Sequence, residues 1–220
     1  MPGRIIAIGD IHGYADALLA LLKAIKPQAD DRIIALGDYV DRGPETPRVL
    51  DELIALSGRC RLVPLLGNHD EMLLDLHHGG SGLKEWLSWG GEETLQGYGC
   101  DHPSKIPAEH VEFLEACVTY YEIPTHFFVH ANYDPKLPLD WQPPDLLRWT
   151  SIRPNPPGPH HSGRIAVVGH TVQRDGHILD LGHLKCIDTG CYAGGWLTAL
   201  DVAADKVWQA DAEGRMPPAG

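Results

Sequence analysis

The sequence has no run of apolar residues near the ~18 needed to span a bilayer as a helix, so no membrane partner is expected. It has no CxxC pair. The five cysteines (Cys60, Cys100, Cys117, Cys186 and Cys191) are an odd number at irregular spacing, which reads as reduced thiols and excludes a zinc knuckle or a disulfide frame. The opening stretch MPGRIIAIGD lacks signal-peptide anatomy and runs straight into a strand pattern, so the expected location is cytoplasmic. Low-complexity tracts and internal repeats are missing too. Positive charge is scarce: 18 Lys and Arg face 30 Asp and Glu, a formal net charge of −12. A chain of this charge repels a phosphate backbone, which argues against nucleic acid as a partner.

What is present begins with a rhythm. RIIAIGD (4–10) and RIIALGD (32–38) are nearly the same apolar strand, each ending in Gly-Asp, and RLVPLLGN (61–68) is a third. Between them, ADALLALLKAI (15–25) and PRVLDELIAL (47–56) have helical apolar spacing. Strands alternating with ten-residue helices predict βαβ units and a parallel sheet. Residues of about 71–118 read as a helical insertion, THFFVHA (125–131) and RIAVVGH (164–170) as further strands, and the proline-rich stretch 135–159 as a stiff, irregular surface loop. HILDLGHLKCIDTG and GWLTALDVAADKVWQA predict antiparallel strands joined by tight turns. The expected organisation is a single domain over 1–212 with a frayed tail at 213–220.

Six polar clusters fall at strand ends: Asp10 with His12; Asp38, Asp41 and Arg42; Asn68 with His69; His130; His170; and Asp188. Singly, each has an ordinary reading. Asp after Gly is commonly a turn or helix cap, a lone His on an apolar strand a satisfied core residue, and an Arg a surface residue. Together they are carboxylate, imidazole and amide donors of the kind that hold divalent first-row metals. In open α/β sheets such groups gather beyond the carboxyl ends of the strands. Arg42 adds a planar fork suited to phosphate, and the assembly reads as a phosphate-ester hydrolysis site.

The ordered motifs GDIHG (9–13), GDYVDRG (37–43), GNHD (67–70), VHA (129–131) and GHT (169–171) resemble the calcineurin-like metallophosphoesterases. The nearer resemblance is to the phosphoprotein phosphatase branch, with its bacterial and phage Ser/Thr phosphatases and symmetrical bis(5'-nucleosyl)-tetraphosphatases. It spans roughly residues 4–200, including DTGCYAGGWLTAL (188–200). The resemblance implies an α/β fold with a central β-sandwich of two mixed sheets flanked by helices, in αββα layers. It implies two divalent metal ions, manganese foremost, with iron or zinc as alternatives. By similarity Asp10 and His12 bind the first, Asp38 bridges both, and Asn68, His130 and His170 complete the second. His69 is implied to protonate the leaving oxygen with Asp41 holding its ring, and Arg42 to bind the phosphoryl group. Relatives carry a second phosphate-binding arginine near a tryptophan. In LLRWTSIRP that is Arg148 by preference, with Arg153 as the alternative. GNHD ends in Asp70 where the branch often has Glu, and a carboxylate suits a helix N-terminus.

Several residues stay open at this point. His160 and His161 are weighed as borders of the substrate cleft, Asp188 as a structural turn residue or a partner behind the ligands, and Trp86, Trp89 and Tyr98 as core packing or as part of an insertion that shapes a substrate pocket. The leading expectation is hydrolysis of phosphomonoesters by a hydroxide held between two metals, with phosphoserine and phosphothreonine in proteins as substrate. Hydrolysis of dinucleoside polyphosphates is the alternative, and a non-catalytic metal-dependent binding protein a third reading. The expected partner is a phosphoprotein or a small phosphorylated molecule; the sequence carries no sign of oligomeric state.

Overall fold

The computed structural model describes residues 3–218. The repeated βαβ rhythm becomes β1 (Ile5–Ile8), α1 (Ala15–Ile25), β2 (Arg32–Ala35), α2 (Thr46–Ser57) and β3 (Arg61–Pro64). These three strands are parallel and adjacent in that order. The helical stretch that follows holds α3 (Asn68–His77), α4 (Leu83–Trp86), α5 (Glu92–Tyr98) and α6 (Ala108–Glu115). Then come β4 (Tyr120–Glu122), β5 (His126–Val129), α7 (Pro144–Trp149), β6 (Ile165–Val168), β7 (Leu179–Asp180), β8 (Leu184–Cys186), β9 (Leu197–Asp201) and β10 (Lys206–Ala210).

The strands form two five-stranded mixed sheets, in the orders β10-β9-β1-β2-β3 and β4-β5-β6-β8-β7. Alternation along each strand explains why they stack. Ile6, Ile8, Ile33 and Ala35 pack toward α1 and α2, while Ala7, Ile34 and Leu36 join Phe128, Val167, Ile187 and Leu200 in the core between the sheets. Strands buried on both faces are apolar without a break, as RIIAIGD and RIIALGD are. Each fully buried Ile or Leu contributes about 1.5–3 kcal/mol relative to exposure. The antiparallel pairs β7–β8 and β9–β10 match the sequence expectation.

The outermost layer differs from it. The proline-rich stretch does not lie wholly on the surface: Leu139, Leu147 and Ile152 are buried against Phe127, Val129, Ala166 and Val168. Nor is the stretch wholly irregular: it contains α7, which carries Leu147, and with Leu139 and Ile152 it covers apolar side chains of the second sheet. Within the expected tail, Arg215 pairs with Asp211; residues 219 and 220 lie outside the described residues. Among the described residues no helix is long and apolar enough to cross a membrane.

Candidate active site

All six polar clusters follow strand ends: Asp10 and His12 after β1, Asp38, Asp41 and Arg42 after β2, Asn68 and His69 after β3, His130 after β5, His170 after β6 and Asp188 after β8. Each of these strands has a parallel neighbour, so the carboxyl ends of both sheets meet in one place. The backbone turns sharply there. His12, Asp38, Asp41, Arg42 and His170 all have φ between 48° and 69°, a left-handed region that Asp and His enter more readily than most residues. The turns also need close approach: a Cβ on Gly67 would lie 2.3 Å from the Asp38 nitrogen.

Three imidazoles have one ring nitrogen committed to a backbone carbonyl. His12 Nδ1 donates to Val40 O at 2.9 Å, His130 Nδ1 to Leu36 O at 2.8 Å and His170 Nε2 to Trp149 O at 3.1 Å. That fixes each tautomer and turns the other nitrogen's lone pair into the cleft, which is how a ligating histidine is held. Burial lowers the basicity of all three, His170 to about 4, so they are neutral donors at neutral pH. The second group of donors then consists of acceptors facing acceptors. Asn68 Oδ1 lies 3.1 Å from His130 Nε2 and 2.9 Å from His170 Nδ1, and Asp38 Oδ1 lies 3.5 Å from His130 Nε2. The other Asp38 oxygen is 3.5 Å from His12 Nε2, so this carboxylate stands between both groups.

Charge balance points the same way. Asp10, Asp38 and Asp188 are all buried. Burial, then the charges of Asp188 and Asp38, push the Asp10 carboxyl well above its ordinary range. Burial, aided by the charge of Asp38, pushes Asp188 up to about 6, while its carboxylate accepts the Gly190 N–H at 3.0 Å in a turn. Asp10 accepts the His170 N–H at 3.0 Å and so ties the two sheets together. Convergent lone pairs and surplus buried carboxylate fit divalent cations. Among the described residues, two sets each gather their donor atoms within 4.8 Å: His12, Asp38 and His69, and Asp38, His130 and His170.

His69 nevertheless has other engagements. Its Nδ1 is 2.7 Å from Asp41 Oδ2, and its Nε2 is 3.0 Å from Arg42 Nη2. Burial lowers its basicity, but Asp38 and Asp41 more than offset that, and the net shift is upward. Asp41 is held by Trp86 Nε1 at 2.9 Å and Thr94 Oγ1 at 2.9 Å. Arg42 reaches both His12 and His69 and stacks over Tyr192 at 3.9 Å. The resulting cleft, of about 730 Å³, is walled by Trp89, Trp149 and Tyr192.

Sequence reasoning missed some of this. Of the insertion's aromatics, Trp89 lines the cleft while Trp86 is buried and, with Thr94, which no sequence pattern marks, fixes Asp41. Asp70 is fully buried and accepts the N–H groups of Asp38, Tyr39 and Gly67 at 2.8–3.0 Å, so it shapes the turn that presents Asp38. Arg148 does not join the cleft: its guanidinium pairs with Glu71 at 2.5 Å, and its neighbour Trp149 is the residue of α7 that reaches the wall. Arg153 is exposed beside Gln173, in an adjoining pocket. His160 and His161 do not border the cleft; His160 is buried, packed on Phe127 and Tyr133, and bonded to Leu137 O.

With this geometry in hand, the likenesses to known proteins have a physical meaning. Residues 3–174 match the calcineurin-like phosphoesterase family. The chain is 31% identical over 208 residues to the serine/threonine-protein phosphatase 1 of Salmonella typhimurium, covering 87% of this chain and 88% of that protein. It is 41% identical over 81 residues to the symmetrical bis(5'-nucleosyl)-tetraphosphatase of Bordetella pertussis, covering 36% of this chain and 28% of that one. A solved structure provisionally named a diadenosine tetraphosphatase superposes with a TM-score of 0.74 at 25% identity, over 96% of this chain and 94% of that one. The strand-end donors, the carboxylate-held histidine and these matches agree: the chain belongs to the calcineurin-like phosphoesterases, a family of metal-dependent hydrolases.

Proposed function

We propose that this protein removes phosphate from phosphoserine and phosphothreonine in proteins. The observation that carries the reading is coverage: the similarity to serine/threonine-protein phosphatase 1 runs along most of both chains, whereas that to the symmetrical tetraphosphatase is confined to 81 residues. We assign Asp10, His12 and Asp38 to one cation and Asp38, Asn68, His130 and His170 to the other, with manganese favoured for the carboxylate and amide oxygens. Divalent cations, when bound, supply an activated water and draw charge from the phosphoryl oxygens.

The chain's own groups do the rest. Arg42 offers two N–H groups of one rigid fork to phosphoryl oxygens, its plane fixed by Tyr192. His69 Nδ1–H is committed to Asp41, so Nε2 is the atom that gives a proton to the departing alkoxide. That nitrogen lies beside the Arg42 fork, so proton donor and phosphate holder address the same spot. The raised basicity of His69 keeps this proton available nearer neutral pH.

A second reading, hydrolysis of dinucleoside polyphosphates, is favoured by the structural likeness to the diadenosine tetraphosphatase along nearly the whole chain. The metal-reconstituted protein assayed in parallel on phosphoserine and phosphothreonine peptides and on diadenosine tetraphosphate separates the two. The expected result is a clearly higher kcat/KM on the peptides. A preference for the dinucleotide overturns the first reading.

A further inference from the structure

Beside the metal cleft lies a second pocket, of about 670 Å³, whose wall carries Arg153, Arg174, Ser151, Thr171 and Thr189. The two cavities share His170 and Tyr192, while His69 borders only the first. No carboxylate lines the second pocket. In a chain with 30 acidic residues and a net charge of −12, that is a selective arrangement.

The state of the two arginines sharpens it. Arg4, Arg48, Arg59, Arg148, Arg164 and Arg215 each pair with a carboxylate. Among the described residues Arg153 and Arg174 do not, and nor do Arg32, Arg42 and Arg61, which lie outside this pocket. Arg153 is instead held by a neutral group, its Nη2 donating to Gln173 Oε1 at 3.1 Å. Gln173 is buried and anchored in turn, its backbone N–H on Asp188 O at 2.8 Å. The fork is therefore positioned by a neutral group, with no carboxylate in direct ion-pair contact. Two guanidinium groups without a direct carboxylate partner, flanked by hydroxyls, fit a phosphate.

We propose that this pocket binds a second, unhydrolysed phosphate group on the same substrate, while the phosphate being cleaved sits at Arg42. The inference rests on the phosphatase reading above and gives it a specificity: substrates phosphorylated more than once are preferred. On a peptide the second phosphate belongs to a neighbouring phosphorylated residue; on a dinucleoside polyphosphate it is a neighbouring phosphate of the chain.

The test compares the metal-loaded wild type with Arg174→Ala and Arg174→Glu on three substrates: a peptide with one phosphoserine, the same peptide with a second phosphoserine nearby, and diadenosine tetraphosphate. The expected wild-type kcat/KM is about tenfold higher on the doubly phosphorylated peptide, a typical worth for a charge-assisted phosphate contact. Arg174→Ala brings that ratio close to one, and Arg174→Glu inverts it. Calorimetric titration with a peptide bearing two non-hydrolysable phosphonates gives a readout apart from turnover, and its affinity falls by the same factor in the variants. Equal wild-type rates on the two peptides, or a ratio that neither variant moves, overturn the proposal while leaving the phosphatase reading in place. If both peptides are inert but diadenosine tetraphosphate is cleaved, and Arg174→Ala weakens that cleavage, the phosphoprotein reading fails and the pocket stands.

Discussion

Asn68 and His69 are adjacent, yet their side chains leave the first turn of α3 toward different company. Asn68 Oδ1 turns to His130 and His170, whereas His69 turns to Asp41 and Arg42. The two side chains divide metal holding from proton transfer, and substitution should separate these. His69→Asn is expected to lower kcat by about 10²–10⁴-fold with metal content by mass spectrometry unchanged. Loss of metal in that variant makes His69 a ligand instead. The residues that hold Asp41 were invisible in sequence for a simple reason. Trp86 and Thr94 reach it across 45 and 53 positions, and neither stands in a pattern that marks such a contact. The strand-end donors were visible because a Gly followed by a polar residue after an apolar run marks a strand tip by itself. Arg148 is less legible: proximity to a tryptophan does not say which of two neighbours on a short helix reaches the cleft wall, and here Trp149 does while Arg148 pairs with Glu71.

Among the elements, the segment Leu87–Gly91 is a kink that joins α4 to α5, with non-helical backbone at Gly90. Its Gly90 has φ +109° and its carbonyl accepts the Arg42 N–H at 3.0 Å. A Cβ there would meet the Arg42 nitrogen at 2.5 Å. Gly90→Ala should therefore displace Arg42, cutting kcat/KM by about tenfold or more while metal content holds, with a stability loss of about 1–3 kcal/mol from the forced backbone. An unchanged kcat/KM would show that the turn does not govern Arg42. At the opposite end of β1 and β2, Asp31 accepts the backbone N–H groups of Arg4 and Gln28 and the Arg4 guanidinium. Burial raises the basicity of Asp31, but these partners outweigh it and its pKa is lowered. A lowered carboxylate stabilises the fold above its unfolded pKa of about 3.9, and that stabilisation is lost as pH falls through the folded value. Asp31→Asn should cost about 1–2 kcal/mol near pH 7, and urea denaturation should show the gap to wild type closing as pH falls below the unfolded carboxylate range. A gap independent of pH would mean that the charge is not what matters.

For the molecule as a whole, the two sheets are joined at the site as well as by the core between them. Asp10 from the first accepts the His170 N–H from the second, and Asp38 faces imidazoles from both. Metal that binds only this folded arrangement stabilises it by mass action, about 2.7 kcal/mol at a free concentration one hundred times Kd. Chelation should accordingly lower the melting temperature in calorimetry, and readdition should restore it. A transition indifferent to chelator would argue against ions held between the sheets. The sheet order was not wholly legible in the sequence, because pairing of β9 with β1 joins distant segments that only the shared apolar core brings together. The five left-handed residues carry a consequence for directed evolution. Each holds a Cβ where glycine is at ease, a cost on the order of 1 kcal/mol or more. Glycine at positions 12, 38, 41, 42 or 170 would relieve that strain but forfeit buried bonds, those of Asp41 with Trp86 and Thr94 above all. Selection on heat resistance alone therefore does not protect the functional side chains at these turns, so a screen on this scaffold must score turnover from its first round.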